Sequence, residues 1–153
     1  MGLIADVGRG PIGVDSVAFI YFIEEEPRFL SSVEALFQET AAGRCQLVTS
    51  ALTLLEVLVV PYRDGDSALA KRYEALLTRS RGLHMVGIST DQLRAAAQLH
   101  AVTGMKTPDA LQVAAALSAG CRTFVTNDRR IPAIPDLRVL QIADYATALQ
   151  GNT

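Results

Sequence analysis

The sequence predicts an α/β fold, a three-layer αβα sandwich around a central, mainly parallel sheet of four to five strands. Short β-like runs alternate with amphipathic helical runs along the 153 residues, and helices between successive strands favour parallel pairing. No internal repeat, low-complexity tract or linker interrupts this alternation. Because this length suits one hydrophobic core, we expect a single domain over 1–153, with a core over about 12–142 and a short N-terminal extension over 1–11.

The first half of the chain is predicted to hold two strands and four helices. Their ranges are 12–14 and 46–48 for the strands, and 17–26, 31–42, a run after Ser50, and 64–80 for the helices. Pro27 ends the first helix, because the residue before a proline avoids helical geometry, and Gly43 suits the position after the second. Ser50 is a good cap for the third helix and Pro61 marks its end. The fourth carries an apolar stripe at three- and four-residue spacing: Leu69, Tyr73, Leu76, Leu77.

The second half is predicted to hold three strands and three helices. The strands lie at 84–88, 121–125 and 137–140, and the last helix at 144–150. Thr90 can cap a helix whose inward residues are Leu93, Ala97 and Leu99. Thr107-Pro108 opens another helix that runs to Gly120, with three residues inward: Leu111, Ala114, Leu117.

Composition and charge exclude several classes of protein. No apolar run approaches the roughly 18 residues of a membrane span, and the start of the chain lacks the basic and apolar regions of a signal peptide, so we expect a cytoplasmic protein. The net charge of −2 argues against a protein that coats nucleic acid by bulk positive charge. Cys45 and Cys121 are too few for a disulfide framework or a zinc cluster, and their apolar surroundings indicate core residues.

Acidic residues stand where the predicted topology places function. Asp15 ends the first strand, Asp128 follows the fourth, Asp109 lies in the first turn of a helix, and Glu56 lies in the helix after the second strand. Ligands of parallel α/β sheets bind beyond the carboxyl ends of the strands, so these side chains are expected to converge there. Carboxylate oxygens are the ligands that Mg²⁺ and Mn²⁺ prefer, so the cluster indicates a metal site.

Each acid also has a structural explanation. Asp15 could cap the following helix, Asp109 could complement a helix dipole, and Asp128 could form an Asx-turn. Glu56 completes a capping box with Thr53 if that helix begins at Thr53. Against the capping box, Glu56 interrupts an almost wholly apolar segment, where a buried carboxylate needs a partner.

Four segments resemble the sequence blocks of the PIN-domain family, small nucleases best known as VapC-type toxins of prokaryotic toxin–antitoxin pairs. The segments begin at Val14-Asp15, Ser50-Ala51, Pro108-Asp109 and Phe124-Val125, and the resemblance spans roughly 13–142. About ten residues precede the usual start of the family. Each segment alone is short and permissive, but the four together, in this order and at this spacing, form a more specific pattern.

The resemblance implies a PIN-like fold and a metal-dependent endoribonuclease that leaves 5′-phosphate and 3′-hydroxyl ends. It implies one or two Mg²⁺ or Mn²⁺ ions held by Asp15, Glu56, Asp109 and Asp128, with Thr126 as a positioning residue. We expect Asp15 and Asp109 to hold the principal ion, and the other two acids to complete the site or orient water. The ion would lower the pKa of a water so that hydroxide attacks phosphorus near neutral pH.

The resemblance also implies partners. They are an RNA substrate, a small antitoxin that covers the acidic cleft, and a second copy of the chain in a homodimer. Lys106, Arg129 and Arg130 flank the acids and could contact RNA phosphates, although charged residues near a turn are more often simply exposed to solvent. Two other functions stay open: a non-catalytic PIN-like domain that binds RNA or protein, and a metal-dependent phosphatase.

Two further patterns carry no site. The stretch from Gly8 to Gly13 matches GxGxxG, but only seven residues precede it and Pro11 removes an amide donor, so no nucleotide cofactor is expected. With His84 at the start of a strand and His100 on a helix, and no GxSxG motif, neither a serine nor a cysteine triad is indicated.

Overall fold

The computed structural model describes residues 2–146, which form a five-stranded, all-parallel sheet flanked by helices. The elements are α1 (Leu3–Val7), β1 (Pro11–Val14), α2 (Ser16–Ile23), α3 (Leu30–Ala41), β2 (Gln46–Ser50), α4 (Leu52–Arg63), α5 (Ser67–Arg79), β3 (Leu83–Val86), α6 (Thr90–Thr103), α7 (Thr107–Ser118), β4 (Thr123–Thr126), β5 (Arg138–Gln141) and a 3₁₀ helix over Ile142–Tyr145. The strand order is β3-β2-β1-β4-β5. The predicted α/β architecture is confirmed.

The sheet separates two apolar layers. Ile12, Leu47 and Val125 point to one layer, where they pack with buried residues of α1 to α5. Val48 and Phe124 point to the other, where they pack with α7. No helix within residues 2–146 combines the length and the apolar character needed to cross a bilayer.

Gly13 fixes the position of α7 against the central strand. A Cβ at this position would lie 2.6 Å from Cβ of Ala116 and 2.9 Å from the ring of Phe124. The backbones of α7 and β1 therefore approach as closely as only glycine permits. This close approach holds the last turn of α7 against β1.

The order of the strands creates a crevice at the carboxyl edge of the sheet. The chain moves from β1 outward to β2 and β3, and then crosses through α6 and α7 to β4 on the other side of β1. Such a reversal leaves an opening between the two strands beyond their carboxyl ends, where α/β proteins bind ligands. Asp15 follows β1 and Asp128 follows β4, so both stand beside this opening.

Several predicted boundaries in the first half were wrong. The extension over 1–11 contains an unpredicted helix, α1, and the first residue of β1. The helix predicted over 17–26 ends at Ile23, because the chain turns at Glu25, which has a φ of 53°. Pro61 lies inside α4 instead of ending it, since a proline near the C-terminus of a helix removes only one hydrogen bond. The helix predicted over 64–80 begins only at Ser67, after a turn at Gly65.

In the second half, the predicted rotation of α6 was wrong. The third strand ends at Val86, not at 88, and Ser89 caps α6 by accepting the N–H of Gln92 at 3.2 Å. Gln92 and Ala96 face inward, and Leu99 packs against the core as predicted, whereas Leu93 is 52% exposed. Ala97 is also exposed, because an inward Ala96 turns its neighbour to solvent.

The remaining differences are smaller. The helix predicted to reach Gly120 ends at Ser118, where Leu117 is partly exposed instead of inward. The fourth strand lies at Thr123–Thr126 and the fifth at Arg138–Gln141. Of the helix predicted over 144–150, the structure has a 3₁₀ turn that ends at Tyr145, and residues 147–150 lie outside the described residues.

Candidate active site

All four predicted acids lie at the carboxyl edge of the sheet. Asp15 is the N-cap of α2, Asp109 lies in the first turn of α7, Glu56 lies in the second turn of α4, and Asp128 follows β4. The charge of Asp109 raises the pKa of both Asp15 and Glu56, and the charge of Asp128 raises that of Asp109. The fold therefore brings the four carboxylates into one electrostatically coupled cluster.

Asp15 is the most buried member, with 8% of its surface exposed. Burial raises its pKa to about 7, and the charges of Asp109 and Glu56 act in the same direction. The Thr126 hydroxyl and the backbone N–H of Val17 oppose this effect, but the geometry at Val17 falls short of a cap hydrogen bond. Asp15 therefore occupies the N-cap position of α2, but its side chain does not form the capping hydrogen bond. Its Oδ1 is buried and has no hydrogen-bond partner among residues 2–146.

Thr126 links the two acids on either side of the crevice. Its hydroxyl, fully buried at the end of β4, donates to Oδ2 of Asp15 at 2.5 Å. The Thr126 hydroxyl oxygen in turn accepts a hydrogen bond from the backbone N–H of Asp128 at 3.1 Å. One side chain thus fixes the Asp15 carboxylate and the start of the loop that carries Asp128.

Glu56 is half-buried and does not form the alternative capping box. Helix α4 begins at Leu52, whose N–H donates to Oγ of Ser50 at 3.1 Å, although Ala51 holds the N-cap position predicted for Ser50. Thr53 is buried and bonded elsewhere. Desolvation raises the pKa of Glu56, and the nearby Gln112 amide lowers it.

Gln112, a residue that the motifs did not predict, holds the inner side of Glu56. Its Oε1 accepts the N–H of Ser50 at 3.1 Å and the hydroxyl of Thr49 at 3.2 Å. The backbone N–H of Ser50 can only donate, so the atom of the Gln112 amide that faces it must be the oxygen. The amide nitrogen Nε2 therefore points the other way and donates to Thr53 at 2.8 Å and to Glu56 at 3.4 Å. The sequence did contain a signal that could have identified Gln112, because it is the one polar residue in the apolar run from Ala110 to Leu117.

Asp109 is partly buried, and Lys106 stands near it. Desolvation and then the charge of Asp128 raise the pKa of Asp109, whereas Arg130 and Lys106 lower it. Lys106 is exposed at the N-cap of α7 and also lowers the pKa of Asp128. Of the three predicted phosphate contacts, Lys106 is the one without an ion pair among residues 2–146.

Asp128 forms a two-pronged ion pair with Arg130. Nε and Nη2 of Arg130 donate to the two carboxylate oxygens at 3.0 and 2.8 Å, and the Arg130 backbone N–H completes an Asx-turn at 2.9 Å. This pairing holds the pKa of Asp128 below its usual range. Arg129 pairs with Asp144 at 2.5 Å. Both arginines are therefore engaged by carboxylates.

The donor set fits a hard divalent cation. With the side chains as placed, no three acidic, histidine or cysteine side chains of residues 2–146 stand close enough to hold one ion. Mg²⁺, however, is usually held by one or two carboxylates, water and substrate phosphates. The buried, unpartnered Oδ1 of Asp15 beside two further carboxylates of raised pKa is a place where a cation would relieve an electrostatic cost.

Comparisons with known proteins bear on the family and the fold of the chain. The sequence matches the family model of the PIN domain over residues 12–137. No curated protein matches it. Among solved structures, it resembles VapBC2 from Rickettsia felis bound to a promoter DNA fragment, with a TM-score of 0.67, 15% identity, and coverage of 86% of this chain and 98% of that one.

Two further structures share the fold. A toxin–antitoxin complex from Klebsiella pneumoniae has a TM-score of 0.63 and 20% identity, covering 88% of this chain and 98% of that one. VapC20 from Mycobacterium tuberculosis, described as a toxin that cleaves the sarcin-ricin loop, has a TM-score of 0.59 and 17% identity, covering 74% and 86%.

Proposed function

Because the chain belongs to the PIN-domain family, we propose that it is a metal-dependent endoribonuclease and the toxin of a toxin–antitoxin pair, acting in the cytoplasm. The observation that carries this proposal is the coupled acidic cluster around the buried, unpartnered Oδ1 of Asp15. A carboxylate whose pKa is raised to about 7 by burial is costly to keep ionised unless a cation binds it.

Each acid has a proposed role. Asp15 and Asp109 hold the principal Mg²⁺ or Mn²⁺ ion, Asp128 completes the site once Arg130 releases it, and Glu56 orients water. Thr126 holds the Asp15 carboxylate through its 2.5 Å hydrogen bond, so that Oδ1 stays directed to the ion. A second ion is compatible with four carboxylates.

The reaction is hydrolysis of an RNA phosphodiester bond. When bound, the cation lowers the pKa of a water and neutralises charge on the scissile phosphate. Glu56 would accept a hydrogen bond from the attacking water and align it with phosphorus, while Gln112 keeps the carboxylate in place. Lys106 contacts a neighbouring phosphate at the rim. The products are a 5′-phosphate and a 3′-hydroxyl.

The direct test is cleavage of a folded RNA followed by analysis of the ends. We expect cleavage with Mn²⁺, none with EDTA, and none by Asp109→Asn, whereas Asp91→Asn, an exposed acid on α6, cleaves like wild type. Products that end in a 2′,3′-cyclic phosphate, or cleavage that persists in EDTA, would contradict the proposal. Turnover of p-nitrophenyl phosphate without RNA cleavage would favour the phosphatase alternative.

The proposed protein partners occupy different surfaces. The acidic crevice suits an antitoxin that inserts an arginine, because Asp128 beside it already pairs with the exposed guanidinium of Arg130. The outer face of α4 suits a second copy, since Leu55, Val59 and Tyr62 follow one another at helical spacing and Leu55 and Tyr62 are 60% and 65% exposed. We expect a dimer in sedimentation that Leu55→Asp dissociates, and a monomeric wild type would contradict this assignment.

A further inference from the structure

An arginine stands at the start of every strand of the sheet. The five are Arg9, Arg44, Arg81, Arg122 and Arg138, each within two residues before its strand or, for the last, at its first position. Because all five strands are parallel, their starts meet at one edge of the sheet. This amino edge lies opposite the edge that carries the acidic site.

Most of these five arginines form no ion pair with a carboxylate among residues 2–146, whereas Arg129 and Arg130 near the acids both do. Only Arg44 of the five has a carboxylate partner among residues 2–146, Glu39 at 2.8 Å. Arg138 donates to the backbone carbonyl of Asp6. Within the same residues, the side chains of Arg9 and Arg122 make neither a hydrogen bond nor an ion pair. Their charge is free to meet a ligand.

Three of these arginines line one open groove of about 980 Å³. Arg9, Arg122 and Arg138 contribute to its walls, and Asp136 is its one acid. Gly8 lies beside Arg9 in the wall, and a Cβ there would meet no atom within 4 Å. We call this feature the arginine groove, defined by Arg9, Arg122 and Arg138.

Helix dipoles explain only part of this pattern. Arg44, Arg81 and Arg122 follow the ends of α3, α5 and α7, where cations are favoured. Arg9 follows only the five-residue α1, and Arg138 begins a strand. Both also lie outside the stretch 12–137 that matches the family model.

The acidic edge offers a polyanion little positive charge, because Lys106 is the one predicted phosphate contact there without an ion pair among residues 2–146. Four carboxylates lie there, and Arg129 and Arg130 are already paired. With a net charge of −2, the protein must attract nucleic acid through a local surface. The arginine groove is such a surface.

We propose that the arginine groove holds the phosphate backbone of the RNA substrate while the acidic edge acts on it. This inference rests on the proposed function, since it takes RNA as the substrate. Strands of four or five residues place the two edges roughly 13–17 Å apart. A folded RNA that runs along β5, the edge strand of the sheet, contacts both, whereas a tetranucleotide at the acidic edge does not reach the groove.

Fluorescence anisotropy with a labelled 24-nucleotide RNA hairpin in EDTA tests this inference without cleavage. We expect Arg9→Ala/Arg122→Ala to weaken binding roughly tenfold near 0.15 M salt and to reduce the slope of log K against log salt by about 1.5. The control Arg28→Ala/Arg94→Ala, which has the same net charge and alters exposed arginines outside the groove, should bind like wild type. Arg9→Lys/Arg122→Lys should restore the slope.

Cleavage of two RNA lengths provides the second measurement. The double alanine variant should cleave a tetranucleotide like wild type and the hairpin more slowly. Unchanged hairpin binding, or an equal loss in the control, would overturn the inference and leave the groove to an acidic protein segment. A wild type that does not bind the hairpin would also overturn it. Mn²⁺ titration tests the proposed metal site independently of either result.

Discussion

Removing the charge of Asp15 is expected to stabilise the metal-free protein. The pKa of this carboxyl is about 7 in the folded chain, against an ordinary 3.8. As the pH rises, the unfolded chain therefore loses this proton first. The folded state loses stability from about pH 3.8 to about pH 7, and the loss is complete above that window.

The magnitude follows from the difference between the two pKa values. Roughly three pKa units at 1.36 kcal/mol each correspond to about 4 kcal/mol above pH 7. The amide introduced by Asp15→Asn does not ionise, so the variant avoids this cost but leaves part of that amide without a partner, at about 1–3 kcal/mol. From pH 4 to pH 8, we expect the free energy of unfolding of the variant to rise by about 4 kcal/mol relative to that of wild type. At pH 8 the variant should be the more stable protein.

Urea denaturation in EDTA at several pH values measures this difference directly. Asp128→Asn is the matched control, because the pKa of Asp128 is lowered by Arg130, so losing that charge should reduce stability at pH 8. The comparison within each pH cancels the titration of all groups that do not interact with Asp15. A variant-minus-wild-type difference that stays constant from pH 4 to pH 8 would refute the electrostatic reasoning.

Three further substitutions test separate contacts. Thr126→Val should raise the pKa of Asp15 further and weaken Mn²⁺ binding by about 10–100-fold in calorimetry, because it removes the 2.5 Å hydrogen bond. Gln112→Leu should lower the free energy of unfolding by about 1–3 kcal/mol in urea, since it leaves a buried N–H of β2 without its acceptor. Gly13→Ala should cost about 1–3 kcal/mol in thermal unfolding, because its Cβ would lie 2.6 Å from that of Ala116.

Two of these substitutions, Thr126→Val and Gly13→Ala, have a control within the chain. Thr126→Ser keeps the hydroxyl and should retain Mn²⁺ affinity, so an equal loss in both variants would contradict the role of the hydrogen bond. Gly87→Ala places a Cβ in open space and should leave stability unchanged. Gln112→Leu with wild-type stability would show that the amide network contributes nothing.

The strands and the acids could be predicted because their signals are local. Strands buried on both faces are short apolar runs, and an acid directly after such a run lies at the carboxyl edge in any parallel sheet. Asp15 and Asp128 follow this rule, and Asp109 was placed by the start of its helix. Their proximity to one another depends on strand order, which the sequence does not state.

Other features depend on tertiary partners. Helix α1 has five residues, too few to form alone, and it is stabilised by packing Leu3 and Val7 into the core. The rotation of α6 was missed because Gln92 and Ala96, a polar and a small residue, face the core, whereas the more apolar Leu93 is exposed. Gln112 gains its role from contacts with β2 and α4, which are distant in sequence. The pairing of Arg130 with Asp128 was likewise missed, since the sequence equally allows it to face solvent.

The central claim is that the acidic cluster binds a divalent cation. Calorimetric titration of Mn²⁺ into wild type, Asp15→Asn, Asp109→Asn and the control Asp91→Asn tests it without knowledge of the RNA. We expect saturable binding to wild type and the control, and a loss of at least about tenfold in affinity for the two site variants. Equal affinity in all four proteins, or no binding by folded wild type, would contradict the claim.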